Sequence, residues 1–173
     1  MTGWNDLLES WEEDPMEKLS QILWRERELL DSLLFKLEME QLVLGSGRTR
    51  WLARAAKEVA LVLEMLRETE ILRSVAADEA AESLGLTSNP SLRAMAESVD
   101  EPWRSILLDH KEAFETVSRE ITAMAETNRD LLTIGLRSAR EALLSLEQVS
   151  QGYSPDGAAV MTETVPRLVD RSL

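Results

Sequence analysis

"WRSILLDHKEAFETVSREITAMAETNRDLLTIGLRSAREALLSL", residues 103–146, is the stretch that decides the fold. Its first part sets Trp103, Leu107, His110, Phe114, Val117, Ile121, Met124 and Asn128 at alternating steps of four and three, the seam of a packed helix. After Asn128 two consecutive steps of four lead into a second stripe, Leu132, Leu136, Ala139, Leu143 and Leu146. A stutter of this kind unwinds a left-handed coil locally and turns the apolar face. Gly135 stands just past it, where glycine costs about 1 kcal/mol relative to alanine in a helix. With Asp100 as its start and Glu101 and Pro102 in its first turn, this helix is expected to run to about Ser150, roughly 75 Å at 1.5 Å per residue.

So long a seam needs partners, and the preceding sequence supplies them. Asp14 followed by Pro15 is an N-cap with proline at the first helical position. The helix it opens carries Met16, Leu19, Leu23, Leu30, Leu33, Leu37 and Leu44 on a heptad seam interrupted by Glu26 and Glu40. "GSG" at 45–47 ends it, and so short a connection forces the next helix to return antiparallel. That second helix, from about Thr49, places Leu52, Ala55, Val59, Val62 and Leu66 on one stripe. Its middle, "VALVLEML" at 59–66, is apolar nearly all round and calls for cover on more than one side, from a third helix or a second subunit. Gly85 reads as a helix stop, and Asn89 before Pro90 as the N-cap of a short bridging helix at about 90–98.

The fold class expected is therefore all-α: an elongated antiparallel helical bundle or coiled coil of three long helices with a short bridging helix. Residues 1–13, with Trp4, Leu7, Leu8 and Trp11 on one side, form an N-terminal amphipathic segment. Residues 14–150 form the helical domain, with an arm at about 128–150. Residues 151–173, rich in Gly and Pro and without helical period, read as a flexible tail.

Composition narrows function. With 32 acidic and 19 basic residues the net charge is −13, a field that repels phosphate backbones and anionic membrane surfaces. No nucleic-acid partner is expected. No apolar run reaches the length of a membrane span, and the acidic start lacks the pattern of a signal peptide, so a soluble cytoplasmic chain is expected. The absence of cysteine removes thiolate metal sites and disulfides.

Reactive constellations are missing as well. His110 is the one histidine, and on an apolar seam it reads as a core residue with a satisfied hydrogen bond rather than a catalytic group. A di-iron bundle needs two Glu-x-x-His motifs, which one histidine cannot supply. No phosphate loop or dinucleotide fingerprint occurs. Glu12, Glu13 and Asp14 suit the positive end of a helix dipole better than a cation. No enzyme, cofactor or metal is expected. Asn128, polar on a heptad seam, either fixes register or caps and bends the helix at the phase change.

The stripe after Asn128 has two readings of its own: it folds back on the first helix as core, or it stays open as a groove for another helix. A resemblance bears on the choice. "RTRWLARAAKEVALVLEMLRETEILRSVAADEAAESLGL" (48–86), with Trp51, Leu52, Glu58, Arg67 and the Leu-Gly-Leu of 84–86, resembles the second helix of the FlgN family of flagellar export chaperones. "NRDLLTIGLRSAREALLSL" (128–146) is similar to the Asn-containing stretch that opens the family's cargo-binding C-terminal part, and "YSPDG" (153–157) to the Tyr-x-x-x-Gly that follows it. The likeness spans residues 15–157, and the tryptophan-rich start departs from it.

The resemblance implies a cytosolic, non-enzymatic chaperone of type III protein export. It would bind the C-terminal helices of hook–filament junction (hook-associated) proteins, prevent premature assembly and deliver them to the flagellar export apparatus. Leu131, Leu132, Leu136, Ala139, Leu143, Leu146 and Val149 would then hold cargo, with Asn128 and Gly135 as hinge, in a monomer or weak dimer. The alternative is a structural coiled-coil adaptor that dimerises through the same stripe. A secreted helical hairpin of the type VII kind is disfavoured, because "GSGR" stands where a Trp-x-Gly turn would be needed.

Overall fold

The computed structural model describes residues 14–151, with side chains through residue 146. Residues 1–13 and 152–173, and with them the amphipathic segment and the flexible tail expected there, lie outside the described residues. Three long helices, α1 (Pro15–Gly45), α2 (Leu52–Ser83) and α4 (Trp103–Gln151), are joined by a 3-10 turn (Thr49–Trp51) and a short helix α3 (Leu92–Glu97). There is no strand among the described residues, and the all-α bundle with a short bridging helix is the observed fold. By its contacts the chain divides into two compact units between Leu131 and Leu132.

Local chemistry sets the helix ends. The Asp14 carboxylate accepts the Met16 N–H at 3.0 Å, and Pro15 opens α1. Gly85, at φ 69°, ends α2 in a Schellman turn: Leu86 N–H donates to Ala81 O at 2.9 Å and Gly85 N–H to Glu82 O at 3.1 Å. Two expected boundaries move. Ser91, not Asn89, caps α3 by accepting the Ala94 N–H at 3.1 Å. Asn89 instead takes a left-handed φ of 58° and donates its N–H to the Asp78 carboxylate at 2.7 Å. The regular part of the last helix begins at Trp103 rather than Asp100, with Glu101 and Pro102 in a turn before it, although Arg104 N–H already bonds to Asp100 O and Ile106 N–H to Pro102 O, both at 3.2 Å.

Ion pairs display the topology. Lys18–Glu79, Glu26–Arg73 and Lys36–Glu58 link α1 to α2 at 2.6, 3.0 and 2.7 Å, with one index rising as the other falls, so the two helices are antiparallel. Trp24 packs edge-on to His110 at 4.9 Å, and Glu40 bonds Asn128 at 3.0 Å, so α4 runs parallel to α1. Met16, Leu19 and Leu23 of α1 meet Ala76, Ala77 and Ala80 of α2, with Met95 and Leu107 closing one core. A second core joins Leu33, Leu37 and Val62, with Ile121 and Met124 packed against it.

Two expectations about burial are corrected, and the cover of the second helix is met. Leu29 is buried and Leu30 only half-buried, because α1 has neighbours on two sides and buries an arc wider than a single heptad seam. "VALVLEML" has cover on more than one side, Val62 being buried against Leu33 and Leu37 of α1 with Ile121 and Met124 of α4 packed there, while Leu61 and Met65 stay 56% and 44% exposed. His110 is buried with neither ring nitrogen hydrogen-bonded, enclosed instead by Trp24 and Phe114.

Candidate cargo-binding stripe

Glu26 and Glu40 interrupt the apolar seam of α1, and each meets a polar partner on a different helix. Glu26 lies 3.0 Å from the Arg73 guanidinium on α2. Burial pushes the Glu26 carboxyl up from its ordinary value, against the pull of Arg73. Glu40 is buried and accepts from Asn128 on α4.

Asn128 is the better-determined of these positions. It is 2% exposed, and its Nδ2 donates to Leu37 O at 2.9 Å and to Glu40 Oε2 at 3.0 Å. A carboxylate can only accept, which fixes the amide with its NH2 toward Glu40. Sliding α4 by one turn along α1 would break both bonds and leave a buried carboxylate without a donor. Asn128 therefore sets the register of α4 on α1.

Beyond this point the burial pattern changes. Leu131 and Leu132 are half-buried, Ala139 is exposed, and Leu136, Leu143 and Leu146 are 72%, 64% and 65% exposed. The side chain of Val149 lies outside the described residues. Ile134 and Leu144, which a single heptad stripe passes over, are also 58% and 54% exposed. Consecutive leucines in "EALLSL" carried that signal, since only one of each adjacent pair can sit on one seam. The α4 helix is continuous through Gly135, where an added Cβ would meet nothing within 4 Å.

Among the described residues no group of His, Asp and Glu could hold a metal ion, and no helix is long and apolar enough to cross a membrane. The described residues thus form an all-helical bundle with a buried Asn128–Glu40 contact and a run of exposed leucines at the end of α4. The FlgN protein family model matches residues 16–160, and the chain belongs to the FlgN family. The family is one of flagellar export chaperones rather than enzymes, and that general role, binding flagellar proteins for export, is this chain's. No curated protein and no solved structure matches it.

Proposed function

We propose that this chain is a cytoplasmic chaperone that binds the C-terminal amphipathic helices of hook–filament junction proteins. It keeps them from assembling prematurely and delivers them to the export gate of the flagellar type III apparatus. The observation that carries the reading is the exposure of Leu136, Leu143 and Leu146, at 72%, 64% and 65%, within one helical segment. Burying a leucine side chain is worth about 1.5–3 kcal/mol, so a partner helix laid along this stripe gains several kcal/mol from these three alone. An amphipathic helix with its own i, i+3, i+4 and i+7 anchors is the matching shape.

In this reading Leu131 and Leu132 form the base of the cargo surface, Ala139 leaves room for a bulky cargo side chain, and Val149 extends it. Asn128 holds α4 to α1 through Leu37 O and Glu40, so bending falls C-terminal to it, at Gly135, where a helix is weakest. A chain ending at Leu131 tests the reading. It should keep a cooperative melt and lose its complex with the C-terminal segment of a junction protein. Retained binding would defeat the proposal, and so would loss of the folded state, which would make the stripe part of the core.

A further inference from the structure

The outward face of α2 is an apolar surface that the cargo reading leaves unused. Leu61, Met65, Leu72 and Val75 are 56%, 44%, 52% and 52% exposed, at spacings that keep them on one side of the helix. The same spacing continues past both ends of the patch. It reaches Lys57 and Arg54 toward the N-terminus and Glu79 and Glu82 toward the C-terminus, with Glu68 at the centre, and all five are exposed.

This stripe is complementary to itself read backwards. A two-fold rotation about Glu68 exchanges Leu61 with Val75, Lys57 with Glu79 and Arg54 with Glu82, and sets Met65 opposite Ile71, 66% exposed, with Leu72 beside it. Every apolar side chain then meets an apolar one, and every basic end meets an acidic end. A parallel pairing would put Arg54 on Arg54 and Glu79 on Glu79, like charges opposed. We propose that α2 pairs with α2 of a second copy of this chain, antiparallel about a two-fold axis at Glu68. The isologous contact repeats each complementary pair twice, as two-fold symmetry requires.

The charged ends are available for this. Glu79 already holds Lys18 of its own chain at 2.6 Å and Arg54 holds Glu58 at 3.3 Å, but all four side chains keep substantial exposure. Lys57 of the other copy would make Glu79 the centre of a three-membered network. Glu68 works in the opposite sense, since it faces its own symmetry mate, so the pairing is weak and concentration-dependent.

The native chain has no cysteine, so an introduced thiol reports on one position. In the full-length protein, E68C should form an interchain disulfide under mild oxidation, while S74C, exposed on another side of α2, should not. L61C and V75C should cross-link when mixed and much less when alone. In sedimentation at about 100 μM, within the range of weak interfaces, wild type should contain dimer, M65E/L72E should be monomeric with an unchanged melt, and E68Q should associate roughly ten-fold more tightly. E68C linking no faster than S74C, or L61C linking to itself faster than to V75C, would overturn the proposal. So would wild type remaining monomeric, which would leave the face to a different partner. None of these readouts involves cargo, so they stand or fall separately from the chaperone reading.

Discussion

Replacing Asn128 by alanine removes both bonds that seat α4 on α1, and the structure gives the size of the effect. The Glu40 carboxylate, 8% exposed, loses the donor that reaches it from α4. A hydrogen bond to a charged group contributes about 1.5–3 kcal/mol, and the small cavity left by truncation adds to this, so N128A should cost about 3 kcal/mol. With urea m-values of about 1–3 kcal/mol/M, the unfolding midpoint should fall by one molar or more at unchanged m. E40L removes the acceptor that needs the amide. N128A in that background should therefore cost about 1–2 kcal/mol less than in wild type, a coupling read directly from a double-mutant cycle. Equilibrium urea unfolding followed by circular dichroism measures all four corners. A cost for N128A below about 0.5 kcal/mol, or strict additivity with E40L, would refute a register-fixing role, because surface positions without such partners behave that way.

Other perturbations follow from the same reasoning. His110 is held below its ordinary value by burial first and then by Arg27, with Asp109 opposing. The unfolded chain thus binds the extra proton, and stability, complete above 6.5, should fall as pH drops below 6.5 toward the lowered folded value. H110L should abolish that component in pH-dependent melts and, by removing two unpaired ring nitrogens, stabilise the bundle by about 1 kcal/mol at neutral pH. R73M should destabilise by about 1–2 kcal/mol, since Glu26 loses its cation, whereas E26M/R73M should recover most of that loss in thermal unfolding. G135A should add up to about 1 kcal/mol of helix stability and, if the helix bends there to close on cargo, weaken cargo binding in calorimetry.

Much of this arrangement was legible in the sequence, because it is local or periodic. Asp14–Pro15 and Leu84-Gly85-Leu86 name their own cap chemistry, and the alternating seams of α1 and α4 identify helices facing a common core. What the residues did not display depends on neighbours distant in the chain. Glu26 and Glu40 interrupt a seam, but only the packed helices show that Arg73 and Asn128 stand opposite them. Leu29 replaces Leu30 because two neighbours bury a broad arc. The open face of α2 was not displayed by "VALVLEML", which called only for cover on more than one side: α1 and α4 cover Val62 and leave Leu61 and Met65 exposed. His110 lacks the expected hydrogen bond because aromatic rings from Trp24 and Phe114 occupy its surroundings.

The chaperone account rests most heavily on the exposed leucines of α4, so the most direct measurement is the affinity of a junction protein's C-terminal segment for the L136D/L143D/L146D variant. These side chains are 72%, 64% and 65% exposed in the free chain, so the variant should melt as wild type does. Losing three apolar contacts at about 1–3 kcal/mol each should lower its affinity by at least about 100-fold in titration calorimetry. Wild-type affinity in a folded variant would contradict the account.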